Sequence, residues 1–192
     1  RVSAKHRLAK REFLAWNLLY KNRYTKAVTA LLLDSFCFKD NYYFVSYAYD
    51  CDFYYYLKRK QYTSNVFHIL LQIANAIVVL HSFDLAHLDI KPENILIRGS
   101  YAVLCDFATV YKVRGLQKIE KEHGTYEYCA PEMLDCIISL KSDVYSFTKT
   151  IFVALEGYFP NPDSISSKYG DVLMDVYMSR MKKDLTYRCS SV

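Results

Sequence analysis

The chain is short of glycine and proline, with five and four among 192 residues, and every glycine lies at position 99 or later. This excludes a collagen-like or linker-dominated chain. It also leaves the first half without a glycine-rich loop of the kind that cradles phosphates through its backbone. No apolar run reaches the ~18 residues of a membrane span, and no signal-peptide pattern opens the chain. The six cysteines, at 37, 51, 105, 129, 136 and 189, contain no Cys-x-x-Cys pair. Neither zinc nor a disulfide framework is expected, and reduced thiols in a cytoplasmic or nuclear setting are the simpler reading. Lysine and arginine exceed the acids by 25 to 20, but they are scattered. The one dense group, residues 5–11, reads as a solvated helix face with no aromatic interleaving, so neither nucleic acid nor a membrane is an expected partner.

What is present is the composition of a folded domain. Hydrophobic residues make up 52% of the chain and aromatics 16%, enough at this length for one core that buries roughly 70% of the unfolded surface. Between residues 4 and 20, Leu8, Phe13, Leu14, Trp16, Leu18 and Leu19 mark a broad apolar helix face. Residues 28–38 and 42–49 are β-rich runs separated by Lys39-Asp40-Asn41, which reads as an antiparallel hairpin. A short helix is expected over 52–59. A long one follows over 65–83, capped by Thr63 or Ser64, with Val66, Ile69, Leu70, Ile73, Ala74, Ile77 and Leu80 at spacings of three and four. Short apolar runs on either side of Arg98-Gly99-Ser100 predict a second hairpin. The stretch 106–132 has little periodicity and is too long for a plain connector, the mark of a functional loop. Ser142 is the expected cap of a helix over 143–155 ended by Gly157 and Pro160, and a last helix is expected over 170–182.

The chemistry concentrates in His87-Leu88-Asp89-Ile90-Lys91-Pro92-Glu93-Asn94. Asp89 can orient or deprotonate a hydroxyl, Lys91 can neutralise a phosphate in transit, and Asn94 can offer an amide oxygen to Mg²⁺. Taken alone, Asp-x-Lys is ordinarily a surface salt bridge. Twelve residues past Asn94, however, comes Asp106, and a hairpin of that length returns its carboxylate beside the amide. Two protein oxygens, with the remainder from phosphate and water, is the usual way Mg²⁺ is held in phosphoryl-transfer sites.

These residues resemble the eukaryotic protein kinases, whose catalytic loop reads H-R-D-x-K-x-x-N. Asp106-Phe107-Ala108 is similar to the D-F-G element, Ala130-Pro131-Glu132 to A-P-E, and Ser142-Asp143-Val144-Tyr145-Ser146 to the start of the family's central helix. The K-P-E-N form resembles the serine/threonine branch. The resemblance implies an α+β protein-kinase-like fold: a mainly helical large lobe over 50–192, lacking the final helix, and a partial small lobe over 1–49. ATP and Mg²⁺ would be the cofactors and a protein the substrate. Asp89 would be the catalytic base, with Lys91 and Thr125 steadying the transferring phosphate, and Asn94 and Asp106 would hold the metal. Around the nucleotide, Glu12 would pair with the ATP-binding lysine, Val45 would be the gatekeeper, Ser46 to Ala48 the adenine-binding hinge, Asp52 a ribose contact and Leu96 the floor under adenine. His87, Phe107 and Trp16 fall where the family stacks its regulatory spine. Arg188 would salt-bridge Glu132, and Asp143 would brace the catalytic-loop backbone. Glu93 and Glu127 occupy positions that often read basic side chains near the phosphorylated site.

Three departures bear on function. Leu88 replaces an arginine that in many kinases receives an activation-loop phosphate, as in Mos-like kinases, which also lack it. Between Lys112 and Gly124 there is no serine, threonine or tyrosine, so activity independent of phosphorylation in this loop is expected. Ala108 replaces the D-F-G glycine, a change penalised where φ is positive. Lys5 is too close to Glu12 to be the ATP lysine, which is expected upstream of Arg1 together with the glycine-rich loop. The alternative reading is a catalytically inactive kinase lobe that binds a kinase or regulatory protein. A small-molecule kinase fits less well, because the A-P-E and central-helix motifs belong to kinases of proteins.

Overall fold

The computed structural model describes residues 4–39, 41–59, 65–120 and 124–157. The expected helix over 170–182, Arg188, and the caps at Thr63 and Ser64 lie outside the described residues.

The chain opens with helix α1 (Ala4–Tyr20), buried through Ala15, Trp16 and Leu19, whereas Leu14 and Leu18 are exposed. The apolar face is therefore narrower than the sequence predicts. A helix then forms where the sequence suggests only punctuation and the beginning of a strand: α2 (Arg23–Val28), capped by the Asn22 side chain, which accepts from the Tyr24 amide at 2.8 Å. The buried Thr25 hydroxyl donates to the Leu19 and Asn22 carbonyls, which ties this helix to the end of α1.

Strands β1 (Leu32–Phe38) and β2 (Asn41–Ser46) form the expected antiparallel hairpin, with Phe38 opposite Asn41. The second strand ends at Ser46 and does not continue to 49. β3 (Cys51–Asp52) leads into α3 (Phe53–Lys58), capped by Asp52 through the Tyr55 amide at 2.7 Å. Helix α4 (Val66–His81) is the centre of the core. Ile73, Ile77 and Leu80 on it are fully buried, among Leu19, Phe53, Ile95, Leu104 and Phe107.

β4 (Leu85–Ala86) precedes the segment that carries His87, Asp89 and Lys91. A 3-10 turn at Pro92–Asn94 then joins it to β5 (Ile95–Arg98), which hairpins onto β6 (Tyr101–Leu104). The turn needs its glycine, since Gly99 has φ +58°. β3, β5 and β6 form an antiparallel sheet in that order, joined to the first part of the chain by a bridge between Thr29 and Leu104.

The long loop is built of small pieces. β7 (Tyr111–Lys112) pairs with β4, and β8 (Gln117–Lys118) pairs with β9 (Ile137–Ile138), which follows the 3-10 turn Pro131–Asp135. Two-residue strands carry no periodicity, which is why the sequence shows only a featureless stretch. α5 (Leu140–Glu156) closes the described chain, its C-cap Gly157 at φ +79°. Ser139, not Ser142, is the N-cap. Ser142 sits one turn in and completes a reciprocal capping box by accepting from the Ser139 amide at 3.2 Å.

Candidate active site

Three segments converge on Asp89. The turn after β4 carries Asp89 and Lys91, the 3-10 turn carries Asn94, and the loop before Pro131 carries Thr125. Asp89 is 8% exposed, so its carboxylate must find its donors within the protein. Oδ1 accepts the Thr125 hydroxyl at 2.8 Å, while Oδ2 accepts the Asn94 amide at 2.9 Å and lies 3.1 Å from Lys91 Nζ. Lys91 also donates to Thr125 Oγ1 at 2.5 Å. The carboxylate is thus fixed in orientation by an ammonium, an amide and a hydroxyl.

The backbone under it is held from α5. Asp143, fully buried, accepts the amides of His87 at 2.8 Å and Leu88 at 2.7 Å, and the His81 ring lies 2.9 Å from it. A carboxylate with this many donors holds the turn in place even though Leu88 sits at φ +64°. Glu132 is also buried and accepts the Ser142 hydroxyl at 2.8 Å.

Phe107 is the hinge of a stack. The Trp16 ring meets it edge-on at 4.8 Å and the His87 ring at 5.5 Å, and His87 Nε2 lies 3.0 Å from the Cys105 carbonyl. Beside this stack Asp106 is exposed at φ +61°. Burial raises the Glu12 carboxyl above its ordinary range, and the nearby Asp106 carboxylate raises it further. The Asn94 Nδ2 is taken up by the Asp89 carbonyl and carboxylate, which leaves Oδ1 as the amide atom to offer a metal. Among the described residues no three His, Cys, Asp or Glu side chains converge on a metal position. A cation held here needs further oxygens from phosphate and water, which suits Mg²⁺.

The expected nucleotide-side residues divide into two groups. Asp52 and Leu96 are directly opposed in the β3–β5 pair, and the Asp52 carboxylate already caps α3. Val45, Ser46 and Ala48 are exposed along the end of β2 and the segment after it.

Several residues that hold this geometry escaped the sequence reading. Gly124 has φ +88°, and a Cβ there would lie 2.5 Å from the Leu88 carbonyl. Only glycine lets the loop bring Thr125 up to Asp89, and its place one residue before Thr125 was the available signal. Thr109 donates to the His87 carbonyl at 2.8 Å, and His81 reaches Asp143. Neither has a signature in local sequence. The two substitutions read as departures are accommodated. Leu88 is 1% exposed in an apolar cluster with Val113, Ile119, Met133 and Ile138. In the Asp106-Phe107-Ala108 element it is Asp106, not Ala108, that takes the positive φ.

A mixed α+β body with a buried, triply anchored aspartate, a paired amide and a second acid across a hairpin is the arrangement of a protein-kinase-type domain. Comparison with known proteins agrees: the model of the protein kinase domain matches residues 6–191. The chain belongs to the protein kinase family, in its eukaryotic serine/threonine branch. It is 30% identical over 128 residues to serine/threonine-protein kinase 17A of Oryctolagus cuniculus, covering 64% of this chain and 30% of that protein. It is 35% identical over 98 residues to a death-associated protein kinase related protein of Drosophila melanogaster, 48% of this chain and 14% of that one. It is 38% identical over 87 residues to the serine/threonine-protein kinase-transforming protein mos of a myeloproliferative sarcoma virus, 43% of this chain and 25% of that one. The chain spans less than a third of the length of each of these relatives. Kinases of this family generally use ATP and Mg²⁺ and act on proteins. No described helix is long and apolar enough to cross a membrane.

Proposed function

We propose that this chain is the catalytic portion of a serine/threonine kinase that transfers the ATP γ-phosphate to a protein hydroxyl without phosphorylation of the loop over 106–132. The observation that carries the reading is the orientation of Asp89 by Lys91, Asn94 and Thr125 together. A carboxylate held in one orientation within hydrogen-bonding reach of a substrate hydroxyl is what proton abstraction requires. In this reading residues 1–49 belong to the small lobe and 50–192 to the large one.

Asp89 positions the substrate hydroxyl and accepts its proton. Lys91 neutralises charge on the phosphate in transit, and Thr125 holds Lys91 and Asp89 in register. Asn94 Oδ1 and Asp106 hold Mg²⁺, while Glu12 pairs with the ATP-binding lysine. ATP–Mg²⁺ supplies the phosphoryl group and the charge neutralisation for in-line transfer. Val45, Ser46, Ala48 and Leu96 line the adenine side and Asp52 the ribose. Glu93 and Glu127 are exposed, and both carboxylates help burial raise the Tyr128 hydroxyl above the ordinary tyrosine range. An acidic patch beside Asp89 suits a substrate with basic side chains near its acceptor. Independence from loop phosphorylation is supported by Leu88, which packs among apolar side chains and presents no cation for a phosphate.

A second reading, a kinase lobe that binds a partner protein and transfers nothing, is favoured by one feature: among the described residues the charged group that acts on Glu12 is Asp106, an acid. Calorimetric titration of Mg²⁺-ATP into this chain and into its full natural reading frame, each beside Asp106→Asn, separates the two. Binding that the substitution removes, accompanied by transfer to a basic peptide, supports the kinase. Absence of binding in both chains overturns it in favour of the binding module.

A further inference from the structure

Helix α1 meets the segment after Asp106 through side-chain contacts. Glu12 lies near enough to Asp106 for that carboxylate to disfavour its ionisation, so like charge opposes close approach there. One contact opposing this is the Trp16–Phe107 edge-on pair. Five residues earlier, a little over one helical turn, the Arg11 guanidinium lies 3.8 Å from the Tyr111 ring centroid, and its Nη2 is 3.5 Å from the Val110 carbonyl. That is the shortest cation–π contact among the described residues, and it joins positions about a hundred apart.

The surface on which Arg11 rests is firmly attached to the catalytic segment. Tyr111 is opposite Ala86 in the β4–β7 pair, immediately before His87, and it packs against the apolar cluster containing Leu88. The Thr109 hydroxyl donates to the His87 carbonyl, and the Val113 amide to the Asp84 carbonyl at 2.7 Å. Residues 109–113 therefore move with the turn that carries Asp89. With Arg11 on this platform and Trp16 on Phe107, the helix is held at positions on either side of Glu12.

We propose that Arg11 is a positioning residue whose stack on Tyr111 clamps α1 to the segment following Asp106 and so holds Glu12 in register with the metal-side carboxylate. The clamp acts through another residue and touches no reactant. It needs no phosphate, because an arginine and an aromatic ring supply both halves. It needs Arg11 to be an arginine: a lysine keeps the charge but loses the planar face and fork that rest on the ring and the Val110 carbonyl. Its consequence for phosphoryl transfer rests on the kinase reading above, whereas the clamp itself is measurable without turnover.

The test is a double-mutant cycle in the full-length protein with Arg11→Ala, Tyr111→Leu and the pair, read by hydrogen exchange of the α1 and 107–113 amides and by transfer kinetics. Arg11→Ala should speed exchange in both segments by roughly tenfold, the worth of a partly desolvated cation–π contact. Tyr111→Leu should do the same, and the double variant should be little worse than either single one. Arg11→Lys should recover only part of the protection, and Tyr111→Phe most of it. In an active kinase kcat should fall with the peptide KM unchanged, since neither Arg11 nor Tyr111 is among the residues assigned to the peptide substrate. Coupled exchange without any turnover would uphold the clamp and remove the kinase reading. Additive effects in the cycle, or full recovery by Arg11→Lys, would overturn the clamp even in an active enzyme. Should Tyr111→Leu fail to fold, Arg11→Ala and Arg11→Lys decide: loss of protection in both segments with Ala and only partial recovery with Lys upholds the clamp, and no loss with Ala or full recovery with Lys overturns it.

Discussion

Thr125 and Asp89 are 36 positions apart, and the Thr125 hydroxyl donates to Asp89 Oδ1 at 2.8 Å while accepting from Lys91 at 2.5 Å. One hydroxyl therefore orients both the carboxylate and the ammonium. Thr125→Val keeps the volume and removes both bonds. It should lower kcat about ten- to hundredfold, the scale of a small misplacement at a reacting centre, with thermal stability little changed. Thr125→Ser should recover most of the rate. Equal rates for the threonine and valine forms in a steady-state peptide assay would show that this hydroxyl does not orient the site.

Leu88 illustrates a position where restoring the family's usual residue should do harm. It is buried with Val113, Ile119, Met133 and Ile138, so Leu88→Arg places an unpaired charge in an apolar cluster. A loss of about 2–4 kcal/mol is expected, seen as a lower midpoint in urea denaturation. No loss of stability would mean that the cluster opens easily and does not hold the loop.

The Glu12 carboxyl is raised by burial and then by Asp106, and a raised acid binds its proton more tightly in the folded chain than in the unfolded one. Stability is unaffected below the ordinary carboxylate value of 4.5. It falls as pH rises from there through the folded value, because the ionised form is disfavoured in the fold. Glu12→Gln removes this cost. In the absence of Mg²⁺ and nucleotide it should raise the melting temperature near pH 7 and leave it unchanged near pH 3. A stabilisation of the same size at both pH values would exclude ionisation of Glu12 as its origin.

Much of this molecule was legible before its coordinates. The three- and four-residue spacing of Ile69, Leu70, Ile73, Ile77 and Leu80 specifies a helix buried along one side, and Gly99 marks the turn that returns Asp106 toward Asn94. Motif spacing alone sets Asp89, Lys91 and Asn94 within one turn of chain. These features are local, since they depend on backbone geometry and the side chains of near neighbours. The tertiary structure decided the rest. It made a helix of Arg23–Val28, whose buried Thr25 bonds back to α1, and it left Leu14 and Leu18 in solvent. It gave the helix cap to Ser139 and the backbone of the His87–Leu88 turn to Asp143. It also brought Arg11 onto Tyr111 and Gly124 against the Leu88 carbonyl. Each of these is a contact between segments distant in sequence, and its partner is chosen by how whole elements pack, which no window of neighbouring residues encodes.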